Sequence, residues 1–218
     1  MDETFRKKIN FNVFDSLLLL VSSRFYNPSS DLDTFDWIRD KVYYPNNIQL
    51  HHLYKTLDLI ISHKDELEEK IFEKLRSNGM KVDIVFYDLT STYFEGEGPD
   101  NAKHGYSRDH RKDREQVVLG LVLCDGFPIT HSIWPGNTAD KATLKDAVND
   151  LKTRFHIEKT IFVADRGLIF EANLEELESN EYDYIIATKR RRDNFVKDLI
   201  TQEIQEKAKV VKMDGRRR

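Results

Sequence analysis

A chain of 218 residues is long enough for one sizeable core with an appended region, and its 39% hydrophobic and 11% aromatic residues exclude disorder throughout. Its longest apolar run falls far short of the ~20 residues of a membrane-spanning helix, and a single cysteine, Cys124, excludes an intramolecular disulfide. A net charge of −4 argues against a surface built throughout to coat nucleic acid.

The first region, residues 1–80, is predicted to be helical. Apolar residues recur there at steps of three and four, which is the spacing of one helix face. The pattern predicts helices over residues 12–24, 33–43 and 48–77, with a break near residues 62–63.

After residue 79 the pattern changes to short apolar clusters that are typical of strands. Strands are predicted over residues 82–87, 116–124, 128–134, 160–164 and 184–188. A turn at residues 125–127 joins the second and third strands into a hairpin. Cys124 ends the second strand and is expected to be buried and inert.

Two helices are predicted between these strands. One runs to about residue 155 and starts at Thr138 or Asp140, either of which can cap it. The other covers residues 171–179. The order from residue 80 is therefore β-β-β-α-β-α-β, which is an α/β fold with a mixed sheet.

Two aspartates directly follow strongly apolar predicted strands: Asp88 closes the first strand and Asp165 closes the fourth. In a mixed sheet whose first and fourth strands are neighbours, the two carboxylates can lie side by side. Mg²⁺ prefers oxygen ligands and commonly takes one or two carboxylates together with phosphate oxygens. The pair therefore predicts a metal site for phosphodiester cleavage or strand transfer. The alternative for either residue alone is a turn former or a helix cap.

Four motifs occur in order along the second half of the chain: YDLTSTYF at 87–94, HGYSRDHR at 104–111, IWPGNT at 133–138 and ADRG at 164–167. Together they resemble successive motifs of the DDE transposases of insertion sequences in the IS4 superfamily, most nearly the IS1634 group. The resemblance covers about residues 82–188. It implies a ribonuclease-H-like mixed sheet in which Asp88 and Asp165 are the first two of three catalytic carboxylates, binding Mg²⁺ or Mn²⁺.

The resemblance also implies partners and a location. The complete enzyme is expected to cleave and join double-stranded DNA at transposon ends and at a target, without any membrane. The resemblance is compatible with a homodimer of the full-length enzyme. The expected location is the prokaryotic cytoplasm, in association with the nucleoid.

The third acid of that superfamily does not occur in this chain. It is a Glu in a Tyr-x-x-Arg-x-x-x-Glu-x-x-x-x-x-x-Lys helix, and Glu203 and Glu206 lack the Tyr and Arg partners. The expectation is therefore the amino-terminal part of a longer transposase, with a partial ribonuclease-H-like core at 81–190 and a basic tail at 191–218 that starts an inserted region. Such a chain is expected to be inactive by itself.

Two alternatives stay open. One is a catalytically inactive DNA-binding remnant, which the missing Glu favours. The other is a structural or protein-interaction module, which the acidic net charge and the charged segment 64–74 favour. Salt-dependent DNA binding separates the two.

Basic segments supply the candidate DNA contacts. Residues 189–218 hold eleven Lys or Arg against five Asp or Glu, a local charge of +6. Such a charge suggests a polyanionic partner for this end of the chain. A loop beside the site and the region after the fifth strand supply the candidates, and the alternatives are a solvated loop and a charged helix start. The candidates are His104, Tyr106, Arg108, His110, Arg111, Arg166, Lys189, Arg190, Arg191 and Arg192.

Overall fold

The structure is a computed structural model that describes residues 9–43, 47–106, 110–165, 168 and 171–186. Its helices and strands follow in the order α1 (Val13–Tyr26), α2 (Asp31–Lys41), α3 (Leu50–Ser62), α4 (Lys64–Ser77), β1 (Ile84–Tyr93), β2 (Gln116–Cys124), β3 (Phe127–Pro135), α5 (Asp140–Thr153), β4 (Ile161–Ala164), α6 (Glu171–Ser179) and β5 (Asp183–Ile186). None of the helices in these ranges has the length and apolar character needed to cross a bilayer.

The chain divides into two compact units between Lys70 and Ile71. In the first unit, α1, α2 and α3 pack against one another around a small core of four buried side chains. These are Leu19, Leu20, Ile38 and Leu53. Asn12 and Ser30 fix the starts of α1 and α2, because their side chains accept hydrogen bonds from the backbone N–H groups of Asp15 and Asp33.

The second unit contains a five-stranded sheet in the order β3-β2-β1-β4-β5. The pairs β1–β2 and β2–β3 are antiparallel, whereas β1–β4 and β4–β5 are parallel. This arrangement confirms the ribonuclease-H-like α/β fold and the expectation that the first and fourth strands are neighbours. The hairpin of β2 and β3 is also confirmed: Asp125 and Gly126 both have positive φ, which suits the twist of a tight hairpin.

The core of the second unit lies on one face of the sheet. Residues of β1 alternate, so that Val85, Tyr87 and Leu89 are buried while their neighbours are exposed. The buried side chains pack with Phe162 of β4 and with the apolar faces of α5 and α6. The opposite face carries partly exposed apolar side chains, including Phe86.

Two expected boundaries were wrong. Strand β1 continues to Tyr93, so Asp88 lies inside the strand rather than at its end, because β2 pairs with β1 as far as Tyr93 and satisfies its polar second half. Helix α5 starts at Asp140 and the N-cap position is occupied by Ala139, so neither Thr138 nor Asp140 is at the position predicted for the capping residue.

Candidate active site

The register of β1 and β4 brings the two predicted catalytic aspartates to one place. Tyr87 of β1 pairs with Ala164 of β4 in the last parallel pair of the two strands. Asp88 and Asp165 are the next residues of the two segments. Since neighbouring strands lie about 4.8 Å apart, this register sets their backbones side by side at the carboxyl end of β4.

Both aspartates are exposed, as a ligand-binding carboxylate needs to be. Asp88 is exposed because its two neighbours, Tyr87 and Leu89, point into the core and strand side chains alternate between faces. One carboxylate oxygen of Asp88 accepts a hydrogen bond of 2.9 Å from the backbone N–H of Leu89. That bond fixes the carboxyl group against its own strand.

The donor set suits a hard divalent cation. Two carboxylates are what Mg²⁺ commonly takes from a protein when substrate phosphate oxygens complete its coordination. Among the described residues, no group of three His, Cys, Asp or Glu side chains could hold a metal without such help. The residues present therefore fit a metal that is shared with a phosphate, and the metal-binding role of Asp88 and Asp165 stays a prediction.

The second and third sequence motifs meet through their glycines. A Cβ atom built on Gly105 would lie 1.8 Å from the carbonyl oxygen of Gly136. A Cβ atom on Gly136 would lie 2.3 Å from the carbonyl oxygens of both Lys103 and Gln116. The segment before Gly105 is attached to the start of β2 by two backbone hydrogen bonds between Lys103 and Gln116, of 3.0 and 3.1 Å. The two motifs thus form one packed junction. The sequence pattern did not predict this contact, although each motif contains one of the two glycines.

A buried amide lies at this junction. The Gln116 side chain is 1% exposed, and within the described part of the chain neither its oxygen nor its nitrogen has a hydrogen-bond partner. An unsatisfied buried polar group typically costs about 1–3 kcal/mol. We therefore expect Gln116 to lower the stability of the junction.

The basic loop presents its residues unequally. His104, Tyr106 and His110 are exposed, and His110 has a positive φ. Arg111, by contrast, lies 5.0 Å over the ring of Tyr93 and is held by Asp113 through two hydrogen bonds of 3.0 Å. The Asp113 carboxylate raises the pKa of Arg111, and the guanidinium in turn lowers the pKa of Asp113.

A second arginine shares the same acids. Arg114 donates a hydrogen bond of 2.6 Å to the backbone carbonyl of Glu95 and forms an ion pair of 3.4 Å with its carboxylate. The Glu95 carboxylate also lies 3.6 Å from Arg111. Glu95 and Asp113 therefore neutralise two arginines that a DNA phosphate would otherwise attract. The sequence pattern singled out the basic residues of this loop and gave no sign of Glu95 as their partner.

Several predicted site residues lie outside the described residues, so their DNA-binding roles stay predictions. They are Arg108, Arg166, Lys189, Arg190, Arg191 and Arg192. Glu203 and Glu206 also lie outside the described residues.

Comparison with solved structures gives distant similarities. The Mos1 transposase paired-end complex with the left transposon end is 12% identical, over 90% of this chain and 73% of that chain, with a TM-score of 0.35. The piggyBac transposase synaptic complex with hairpin DNA is 12% identical, over 88% of this chain and 44% of that chain, with a TM-score of 0.48. The Mos1 mariner catalytic domain is 12% identical, over 76% of this chain and 77% of that chain, with a TM-score of 0.34.

No curated protein matches the chain significantly. The family to which the chain belongs is shown by a family model. A family model described as the transposase DDE domain matches residues 79–216, which is more than half of the 218 residues. The matched range contains both aspartates and the whole sheet of the second unit. The chain therefore belongs to the transposase DDE domain family.

Proposed function

We propose that the second unit is catalytic-core material of an insertion-sequence transposase, in which Asp88 and Asp165 bind Mg²⁺ or Mn²⁺ at transposon-end DNA. The observation that carries the proposal is the register of β1 and β4, in which the exposed Asp88 and Asp165 are the residues that follow the last parallel pair, Tyr87 and Ala164. The family match supports it. The four motifs further support membership of the IS4 superfamily and its IS1634 group.

Different residues of the chain have the metal-binding and the DNA-binding roles in this proposal. Asp88 and Asp165 supply carboxylate oxygens, and the rigid pairing of β1 with β2 and β4 keeps the Asp88 backbone in place. A divalent ion bound there supplies charge neutralisation at the scissile phosphate and activation of the attacking hydroxyl. The proposed contacts to the DNA backbone include His104 and Tyr106, which are exposed and follow a segment that backbone hydrogen bonds attach to β2.

A second candidate function is an inactive DNA-binding remnant. It is favoured by the sequence after Asp165, which has no Tyr-x-x-Arg-x-x-x-Glu pattern. Without a third carboxylate, the scissile phosphate is poorly positioned, and a displacement of about 1 Å can cost on the order of 10²-fold in rate. Under this candidate, the chain binds metal and DNA but does not cleave.

The decisive experiment measures metal-dependent DNA binding. Fluorescence anisotropy of a labelled duplex is titrated with the chain in Ca²⁺, Mn²⁺ or no metal, for wild type, Asp88→Asn, Asp165→Asn and Asp183→Asn. Asp183 is the matched control, since it is an exposed aspartate at the amino end of β5 in the same sheet. The proposal predicts that metal strengthens binding and that only the first two variants lose this effect, by about tenfold or more. The proposal is wrong if metal changes the DNA affinity of all four proteins equally.

Plasmid nicking in Mg²⁺ or Mn²⁺ then separates the two candidates. No nicking together with metal-dependent binding selects the inactive remnant. Nicking that disappears in Asp88→Asn shows that a further ligand within these 218 residues completes the site. A chain that binds no DNA at all supports the structural or protein-interaction module instead.

A further inference from the structure

The second half of strand β1 carries two exposed threonines in line with Asp88. Exposed and buried side chains alternate along this strand, and Asp88, Thr90 and Thr92 all lie on its exposed face. A strand advances about 3.4 Å per residue, so each step between these three side chains is about 6.8 Å. The two threonines therefore continue a row that begins at a predicted metal ligand.

Strand β1 has a neighbour on one side only beside these threonines. Its parallel pairing with β4 ends at Tyr87, one residue before Asp88. Among the described strands, β2 is therefore the only neighbour of β1 over residues 88–93. The exposed side chains of Thr90 and Thr92 thus lie where this part of the sheet leaves room for a ligand.

The preference of β-branched residues for strands does not explain the two hydroxyl groups, because Val would suit the strand equally well. The residues of β2 that face Thr90 and Thr92 are the apolar Leu119 and Val117, which offer no side-chain hydrogen bond. Within the described part of the chain, neither threonine hydroxyl has a hydrogen-bond partner. Both hydroxyls are therefore available to an acceptor outside the chain.

The surroundings of the two threonines suit an anionic acceptor. The three segments that form this part of the sheet, residues 89–94, 116–124 and 127–135, contain no Asp or Glu that would repel phosphates. Thr hydroxyls commonly donate hydrogen bonds to the phosphate oxygens of DNA. Phosphates recur regularly along a DNA strand, as the exposed side chains do along β1.

We propose that Thr90 and Thr92 donate hydrogen bonds to backbone phosphates of the DNA strand whose scissile phosphate lies at Asp88 and Asp165. The inference rests on the proposed function, because it takes the metal site as the start of the bound strand. Contacts to phosphates fix the register of the DNA and do not read bases. Because the two side chains are uncharged, they add affinity without releasing counterions.

Anisotropy titrations of a labelled random duplex in Ca²⁺, at several salt concentrations, test the proposal. Thr90→Val combined with Thr92→Val removes the hydroxyls and keeps the β-branched shape, and it should lower the affinity about tenfold. The dependence on salt should keep its wild-type slope, since no cation is lost. Thr90→Ser combined with Thr92→Ser keeps the hydroxyls and should bind like wild type. Thr153→Val is the matched control, because Thr153 is exposed on α5, which packs against the opposite face of the sheet.

Asp88→Asn, titrated with and without Ca²⁺, separates this inference from the proposed function. If Asp88→Asn loses the effect of metal while the valine variant binds like wild type, the proposed function stands and the role of the threonines is wrong. If the valine variant loses affinity while Asp88→Asn still responds to metal, the threonine contacts are supported and the metal site is not. The inference is also overturned if the wild-type chain binds no DNA, if the serine variant is as weak as the valine variant, or if Thr153→Val loses as much affinity.

A second measurement locates the DNA without removing a hydrogen bond from both threonines. Thr92→Cys is labelled with a benzophenone maleimide, since the one native cysteine, Cys124, is buried. Irradiation with duplex DNA should crosslink this variant to the DNA, whereas Thr153→Cys with the same label should crosslink far less. Equal crosslinking from the two positions would overturn the inference.

Discussion

Gly105 and Gly136 touch backbone to backbone, so that a side chain on either would overlap a carbonyl oxygen. Their contact joins the second and third motifs of the sequence into one junction beside the start of β2. Because the opposing atoms belong to the backbone, the overlap cannot be relieved by turning a flexible side chain.

Gly105→Ala and Gly136→Ala should each destabilise the protein by about 1–3 kcal/mol, the usual cost of overpacking a filled site. Urea unfolding followed by circular dichroism measures the difference. Gly96→Ala is the control, because a Cβ there meets no atom within 4 Å. If Gly105→Ala unfolds at the wild-type urea midpoint, the two motifs do not pack as described.

Gln116→Met should be neutral or stabilising by about 1 kcal/mol. The substitution replaces a buried amide that has no hydrogen-bond partner among the described residues with an apolar side chain of similar length, so no cavity is left. Asn173→Leu is the contrasting variant, since the buried Asn173 amide donates a hydrogen bond of 2.9 Å to the carbonyl of Leu168. That variant should destabilise. A strongly destabilised Gln116→Met would show that the amide has a partner in solution.

Neutralising the acids beside the basic loop should strengthen DNA binding. In Glu95→Gln combined with Asp113→Asn, the guanidinium groups of Arg111 and Arg114 lose these two acidic neighbours, so their charge attracts phosphates more strongly. Affinity for random duplex DNA should rise at least severalfold, with a steeper dependence on salt concentration.

The control for this gain removes the same charge elsewhere. Asp36→Asn combined with Asp40→Asn frees Arg39 on α2 in the same manner. An equal gain in both double variants would mean that net charge, and not the position of Arg111 and Arg114, sets the affinity.

The stability of the protein should fall in alkaline solution. Burial raises the pKa of Cys124 to about 12 and that of Tyr182 to about 12, and burial together with a hydrogen bond to Glu178 raises that of Tyr184 to about 12. Each group keeps its proton in the folded state at a pH where the unfolded chain has lost it. The stabilisation is therefore complete below about pH 9 and is lost as the pH rises toward 12.

Urea unfolding under the chosen conditions of pH 8.0, 9.5 and 10.5 tests whether the stability falls as the pH rises. Cys124→Ala should flatten the first part of the fall, because a thiol titrates before a phenol in the unfolded chain. Tyr43→Phe should leave the whole profile unchanged, since that ring is fully exposed. A stability that rises with pH across these three conditions would contradict the assignment.

Replacing Arg190, Arg191 and Arg192 together with Ala should weaken binding about equally for transposon-end and random duplexes. Contacts to phosphates add affinity by releasing counterions and do not read bases, so each lost contact lowers the salt slope by about 0.9. Anisotropy titrations at several salt concentrations provide the slope. Weakening that is confined to the end sequence would mean that these arginines read bases.

The sequence by itself determined the kind and order of the elements in the second unit. Strand β2 and helix α6 occupy the predicted residues, because apolar spacing of two or of three to four residues reflects which face must be buried. The motifs singled out Asp88 and Asp165, and the resemblance that these motifs carry implied the ribonuclease-H-like mixed sheet. These features depend on residues close together in the chain.

Only the tertiary structure determined the features that depend on contacts between segments far apart in the sequence. The second half of β1 is polar, and it is a strand because β2 provides its hydrogen bonds. Asp113 pairs with Arg111 from two positions away, but Arg111 gains a second acidic neighbour because Glu95, sixteen positions earlier, comes within ion-pair distance of it. The need for glycine at Gly105 arises only when Gly136 packs against it. No local pattern encodes such contacts, because each requires two segments that meet only in the folded protein.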